Sequence, residues 1–276
     1  MDVDTLLSKV EDLSALAPSV VKLLALINRD DVDNDSVMEV VRTDLVLSAK
    51  LLALANSAYY APPKPVESLN EAVLYLGYEQ VHRVALAIGL GAVMNRKAAG
   101  YAMDEGEFWR HSLLTATAAE LIAGTAKRSD AAIGYTAGLL HDIGKIVLNQ
   151  VLDAKTQAAV ARVIHERGQP GVVAEQNLLK TNHAEVGAAL LKKWKLPVSI
   201  VEAVQCHHEP LNSEGSLATA VALADSIAHS AAKEPGDSLI SNGSLLERLQ
   251  FDRAKYEEIV GEVNAALGEV ETIASF

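Results

Sequence analysis

Apolar residues recur at three- and four-residue spacing along most of the chain, the pattern of helices that bury one face. The first clear stripe is Val20, Leu23, Leu24 and Ile27, and Asn28 is predicted to end that helix. Aromatic residues make up only 4% of the chain, so the core must consist mainly of Ala, Leu, Val and Ile. This composition favours packed helices over a β-sandwich. The sequence therefore predicts an all-α fold.

The segments between the apolar stripes contain residues that typically begin or end helices. Three prolines within residues 62–65 predict a loop. Ser68, followed three residues later by Glu71, forms a capping box that predicts the start of a helix. Gly77 is placed to end that helix, because glycine is the residue most often found just past a helix C-terminus.

A change of composition predicts two lobes. From Asn95 to Asp104 the sequence turns polar and contains glycine, which marks a boundary. The N-terminal helical lobe is then residues 1–100, and the second lobe is residues 101–276. The end of the second lobe, from Glu234, is predicted to be a surface loop and one amphipathic helix, a C-terminal helical extension.

Charge and cysteine content narrow the classes of function. With 36 acidic residues against 24 Lys and Arg, the net charge is −12, which argues against binding of nucleic acid or anionic lipid. The two helices around Gly77 resemble a DNA-reading motif, but His82 and Arg83 are the only potentially basic groups there. The single Cys206 suits a reducing compartment, and no apolar run approaches the roughly twenty residues of a membrane span. We expect a soluble, cytoplasmic protein without nucleic-acid or membrane partners.

The most informative segment is residues 137–148, which is apolar except for His141, Asp142 and Lys145. A helix that begins after a break at residues 128–131 is predicted to carry both His141 and Asp142. A neutral imidazole beside a carboxylate offers two ligands to a divalent metal. Lys145 follows Asp142 by three residues on the same helical face and can meet an anion. A buried histidine hydrogen-bonded to its neighbours would explain this segment equally well.

Further polar residues interrupt apolar faces elsewhere, so that five predicted helices each present a potential metal ligand near the core. Each buried polar group needs a partner, and one shared metal site would satisfy all of them. His82 and His165 are interpreted as ordinary residues, and His229, one turn after Asp225, is a marginal candidate. The predicted ligands are His111, His141, Asp142, His183, His207, His208 and Asp225.

The order of these residues, a His, then His-Asp, then a distant Asp, resembles the HD phosphohydrolase superfamily. Within it, the chain is more similar to the HDOD family, the HD-related output domain of bacterial signalling proteins. The similarity covers roughly Ala17 to Ala232. Four phrases carry it: LLALANSAYY at 51–60, FWRHS at 108–112, GLLHDIGK at 138–145 and HAEVGA at 183–188.

The resemblance implies an HD-like helical bundle with an additional N-terminal helical lobe. It also implies that His111, His141, Asp142 and Asp225 hold one metal ion, and that Asp142 can bridge to a second.

The related HD-GYP phosphodiesterases add further histidines, onto which His183, His207 and His208 map. They also carry a lysine that matches Lys145, and some place a ligand where Glu107 stands. Their Gly-Tyr-Pro signature is missing from this sequence. Hydrolysis of cyclic-di-GMP is therefore not expected.

Two functions remain open at this point. In the first, the chain is a signalling output module whose site binds metal or a ligand, or survives only as a buried polar network. In the second, it is a metal-dependent phosphohydrolase of a nucleotide or other small phosphoester, in which Asp142 and Lys145 act catalytically. The nitrogen and oxygen ligands suit one or two ions of Fe, Mn, Zn or Ni. Because a hydrolase needs only the second lobe, the N-terminal lobe favours the output module and a signalling protein partner.

Overall fold

The secondary structure of the chain is helical. Among the residues that the computed structural model describes there is no strand, so the all-α prediction is confirmed. None of the described helices is both long enough and apolar enough to cross a membrane. The described residues are 2–9, 17–26, 34–95, 99–101, 103, 106–126, 130–232 and 242–276.

Two short 3-10 turns, Ala99–Tyr101 and Pro210–Asn212, lie between α-helices. In chain order the described helices are α1 (Val3–Ser8), α2 (Pro18–Leu26), α3 (Asn34–Thr43), α4 (Leu45–Ala55), α5 (Leu69–Leu76), α6 (Tyr78–Met94), α7 (Glu107–Ala126), α8 (Ala131–Leu140), α9 (Ile143–Val151), α10 (Ala154–Arg167), α11 (Gly171–Leu179), α12 (His183–Lys193), α13 (Val198–Cys206), α14 (Leu217–Ala232), α15 (Asn242–Leu249), α16 (Arg253–Ala265) and α17 (Leu267–Ala274).

Helix α5 begins after Ser68 and ends at Gly77, as the sequence predicts. The Ser68 hydroxyl accepts a hydrogen bond from the backbone N–H of Glu71 at 3.2 Å. Gly77 ends the helix at a φ of 85°, a conformation that residues with a Cβ rarely adopt. The predicted helix end at Asn28 lies outside the described residues.

Replacing Ser68 with Ala should lower the free energy of unfolding by about 1 kcal/mol, because the N–H of Glu71 loses its acceptor. Urea denaturation followed by circular dichroism measures the change. Ser230→Ala is the matched control, since the Ser230 hydroxyl donates to the carbonyl of Ser226 within α14 and caps no helix. A Ser68→Ala variant as stable as the Ser230→Ala variant would contradict the capping role.

The chain divides into two compact units. The larger unit is residues 1–14 and 94–266, and the smaller unit is residues 15–93 and 267–276. Helix α1 therefore belongs with α7 to α16, and α17 belongs with α2 to α6. The lobe boundary expected near residue 100 stays a prediction, and part of it lies outside the described residues.

In the smaller unit, α17 is held by a polar network. Glu269 accepts a hydrogen bond from the Tyr60 hydroxyl at 2.9 Å and lies 3.3 Å from the Arg83 guanidinium. Gln80 also donates to Glu269. The sequence predicted one helix near the C-terminus, which is wrong: α15, α16 and α17 all follow residue 241. Their apolar stripes are short, and polar turns separate them.

In the larger unit, glycines let helices approach until their backbones touch. A Cβ at Gly134 or Gly138 of α8 would lie 2.5 or 2.7 Å from a backbone carbonyl oxygen of α7. A Cβ at Gly144 of α9 would run into the backbone of His183 and Gly187 on α12. These contacts bring the polar residues of α7, α9 and α12 to one buried centre.

Candidate functional site

His141 and Asp142 lie on the turn between α8 and α9. The prediction that one helix carries both is wrong: α8 ends at Leu140, and Asp142, with φ −101° and ψ 8°, leaves the helical conformation. The His141 Nδ1 donates a hydrogen bond to the carbonyl oxygen of Gly138 at 2.7 Å. This bond fixes the ring so that Nε2 faces the centre of the site.

The seven predicted ligands lie together in the core of the larger unit. Each side chain is buried, with at most 5% of its residue surface exposed. His229 joins them, and the eight residues are called the histidine and aspartate cluster below. Within each of three groups, all ligand atoms lie within 4.8 Å of one another: the His183 group (Asp142, His183, His207 and His208), the His141 group (His111, His141 and Asp142) and the His229 group (His111, Asp225 and His229).

Asp142 belongs to two of these groups and turns one oxygen towards each. Its Oδ2 lies 3.3 Å from the Nε2 of His141. Its Oδ1 lies 3.2 Å from the Nε2 of His183 and 3.8 Å from that of His207. A carboxylate that serves two adjacent sites in this way has the arrangement of a bridging ligand.

Asp225 and His229 extend the cluster from α14. The Asp225 Oδ1 lies 3.0 Å from the Nε2 of His111, 3.6 Å from that of His141 and 3.4 Å from that of His229. On the sequence alone, His229 is only a marginal candidate. Its position one turn after Asp225, on the same inward face, is the signal that could have placed it in the cluster.

Lys145 is buried beside the cluster, in the first turn of α9. Its ammonium lies 2.7 Å from the Oδ2 of Asp142 and 5.6 Å from the ring centroid of Tyr101. Lys145 was predicted to lie on the same face as Asp142 and to meet an anion, and the anion that it contacts here is the Asp142 carboxylate. Glu107, in contrast, is exposed at the start of α7 and belongs to none of the three groups.

Acidic and basic side chains alternate in and around the cluster, and each shifts the pKa of its neighbour. Burial alone would raise the pKa of Asp142, but His141 and Lys145 outweigh it and hold that pKa well below its usual range. Burial lowers the pKa of His141, yet Asp142 raises it to about 10. Burial also lowers the pKa of His183, but the negative charge of Glu175 outweighs this effect and raises that pKa to about 9. Burial and the charges on His141 and His183 lower the pKa of His207 to about 3.

Sequence reasoning missed Glu175, which lies behind His183. This residue is on α11, has no exposed surface and accepts hydrogen bonds from His183. A carboxylate among the apolar residues of α11, eight positions before His183, was a signal in the sequence. The contact itself depends on how α11 packs against α12, which spacing alone does not reveal.

The donor set of the cluster fits a divalent metal ion. The Nε2 of His207 is buried and has no hydrogen-bond partner among the described residues. Buried polar atoms are normally paired, so a lone pair in this position suits a metal ligand. Imidazole nitrogens and carboxylate oxygens without a thiolate are typical of Fe, Mn, Zn or Ni sites. The cluster could therefore bind a metal.

Comparison with known sequences identifies relatives of part of the chain. The family model of the HDOD domain matches residues 13–210. An uncharacterised protein of Treponema pallidum (strain Nichols) is 25% identical over 201 residues, which cover 72% of this chain and 38% of that protein. Ribonuclease Y of Thermus thermophilus is 31% identical over 141 residues, which cover 51% of this chain and 19% of that enzyme. The matched region is thus well under half the length of either relative.

Solved structures resemble the chain over nearly its whole length. An HDOD domain protein of unknown function from Geobacter sulfurreducens has a TM-score of 0.79 and 27% identity, covering 99% of this chain and 95% of that protein. A protein of Shewanella amazonensis SB2B, provisionally described as a phosphohydrolase, has a TM-score of 0.75 and 25% identity. Coverage there is 98% of this chain and 97% of the other. These likenesses confirm the predicted fold class.

Proposed function

The chain belongs to the HDOD domain family, and on that basis we propose that it is a bacterial signal-transduction output module whose histidine and aspartate cluster binds one or two divalent metal ions. One observation carries this proposal: the ligands come from five separate segments of the larger unit. They lie on α7, on the turn before α9, on α12, after α13 and on α14. A metal held there would tie these segments together, so its binding free energy would stabilise one packing of the unit.

The partner that we propose is a signalling protein, contacted through the smaller unit. Large apolar side chains are exposed on that unit, where Leu45, Val46 and Leu74 have 84%, 65% and 86% of their surface exposed. Leu45 and Val46 are neighbours at the start of α4, and adjacent exposed apolar side chains support a contact with another protein.

Metal analysis of protein purified without chelator, combined with a screen of phosphoesters, tests the proposal. Bound metal without turnover supports the output module. Turnover of a phosphoester that depends on the metal would favour the second function below. Protein that holds no metal after exposure to Fe²⁺, Mn²⁺, Zn²⁺ and Ni²⁺ would contradict the metal site.

The second candidate function is a metal-dependent phosphohydrolase, and the position of Asp142 between the His141 group and the His183 group favours it. When bound, divalent ions would acidify water and polarise a phosphoryl oxygen. Asp142, which faces both ligand groups, would contribute one oxygen to each. The Lys145 ammonium, which contacts Asp142 in this structure, would rotate to donate a hydrogen bond to a phosphate oxygen. Nucleotides and other small phosphoesters are the substrates that we propose for this function.

Metal uptake should release protons near neutral pH. The pKa values of His141 and His183 are about 10 and about 9 in the metal-free site, so each ring carries a second proton at pH 7. A metal must displace that proton from the nitrogen, so affinity should rise with pH. About one proton should leave when the His141 group is filled and about one when the His183 group is filled. Zn²⁺ calorimetry in two buffers of different ionisation enthalpy counts the protons. His141→Gln should lower the count by about one. Metal binding without any release of protons would contradict the positive charges on His141 and His183.

A further inference from the structure

A carboxylate with no exposed surface lies directly behind His183. The Oε2 of Glu175 accepts hydrogen bonds from the backbone N–H and from the Nδ1 of His183, both at 2.7 Å. The Oε1 of Glu175 accepts a hydrogen bond from the hydroxyl of Tyr101. Three donors therefore converge on one buried carboxylate, and two of them belong to a single histidine.

These contacts decide which nitrogen of His183 faces the cluster. Because Nδ1 donates to Glu175, the ring presents Nε2 to the other side. The Nε2 lies 3.2 Å from the Oδ1 of Asp142 and 2.8 Å from the Nε2 of His208. The bond to the backbone N–H also satisfies a donor in the first turn of α12, so Glu175 fixes both the main chain and the ring of His183.

Tyr101 fixes Glu175 from the opposite side. The turn that carries Tyr101 has its own anchors: the Gly100 N–H donates to the side chain of Asn149 at 3.2 Å, and the Tyr101 carbonyl lies 3.3 Å from the Nε2 of His165. The turn is thus held in place without the hydroxyl. Removing the hydroxyl alone would release one end of the Glu175 carboxylate and leave the turn anchored.

We propose that Glu175 is a positioning residue for the His183 group, that it holds the Nε2 of His183 towards Asp142, and that the Tyr101 hydroxyl holds Glu175 in this role. The inference rests on the proposed function only in that the His183 group binds a metal. A carboxylate that accepts from the far nitrogen of a metal-binding histidine fixes the ring and raises its basicity. Loss of such a partner lowers metal affinity by about 10- to 100-fold.

Zn²⁺ affinity, measured by competition with a chromophoric chelator, is the first test. Glu175→Leu should weaken binding by about 10- to 100-fold. Glu175→Gln should restore most of the affinity, because its amide oxygen can accept from His183 and its amide nitrogen can donate to Tyr101. Glu185→Gln is the matched control: Glu185 is an exposed carboxylate on α12 that accepts from the Thr181 hydroxyl at 2.7 Å, and its loss should leave affinity unchanged.

The second test does not depend on metal. In ¹⁵N-labelled, metal-free protein the Nδ1 proton of His183 should exchange slowly in the parent and in Glu175→Gln, and rapidly in Glu175→Leu. If the parent binds no Zn²⁺, the metal site fails, while this dependence on Glu175 still supports the positioning role. An Nδ1 proton equally protected in Glu175→Leu would overturn the role.

Tyr101→Phe keeps the inference testable if Glu175→Leu does not fold. Tyr101→Phe loses only the hydroxyl and keeps the aromatic ring. It should speed exchange of the His183 Nδ1 proton and weaken Zn²⁺ binding by several-fold. The effect should be smaller than that of Glu175→Leu, because the carboxylate is less firmly held but still present. Exchange and affinity both equal to the parent would overturn the proposed link from Tyr101 through Glu175 to His183.

Discussion

Asp142→Asn should lower the affinity for divalent metal more than the same change at any other carboxylate, and by more than the roughly 10- to 100-fold that loss of a ligand's hydrogen-bond partner costs. The reason is geometric, because Oδ1 and Oδ2 of Asp142 face two different ligand groups, at 3.2 Å from the Nε2 of His183 and 3.3 Å from that of His141. Asn keeps the shape but removes the charge and one acceptor oxygen. Zn²⁺ titration and metal content after dialysis measure the loss.

The same variant should also destabilise the metal-free protein. The Lys145 ammonium is buried and lies 2.7 Å from the Oδ2 of Asp142, so neutralising the carboxylate removes the negative charge that this buried cation contacts there. Breaking a buried pair from one side costs about 3 to 5 kcal/mol. Asp153→Asn is the matched control, since Asp153 is an exposed N-cap of α10 and Asn caps equally well. Metal affinity equal to that of the control would show that Asp142 does not bridge.

The positions of the candidate ligands could be predicted because helical spacing decides which residues share a face. His111 and His183 occupy the apolar stripes of α7 and α12, and both are buried as predicted. Asp225 is buried because it follows the apolar residues of α14 at the same spacing. A single inward stripe therefore reveals which side chains enter the core.

Other features of the site depend on packing between segments, which the stripes do not encode. The turn at His141 and Asp142 was missed because apolar residues continue at helical spacing across it. Glu175 was missed because its partner lies on the next helix. A hydrogen bond between Tyr60 and Glu269, which are 209 positions apart, helps to attach α17 to the smaller unit. Nothing in the sequence near either residue indicates this pairing.

Gly144→Ala should disrupt the site through the backbone alone. A Cβ at this position would overlap the carbonyl oxygen of His183 and lie 2.8 Å from the backbone nitrogen of Gly187. Backbone atoms cannot rotate away, so α9 and α12 would have to separate. We expect the free energy of unfolding to fall by about 3 kcal/mol or more. The same movement would take His183 away from Asp142, so Zn²⁺ affinity should fall as well.

Gly261→Ala is the matched control for this prediction. Gly261 lies within α16, and a Cβ there would have no atom within 4 Å. Because alanine loses less conformational freedom than glycine on entering a helix, this control should raise the free energy of unfolding by about 0.5 to 1 kcal/mol. Opposite signs for the two substitutions, measured by urea denaturation, are therefore expected. If Gly144→Ala instead matched Gly261→Ala in stability and the parent in Zn²⁺ affinity, the close backbone contact of α9 with α12 would not be what holds His183 beside Asp142.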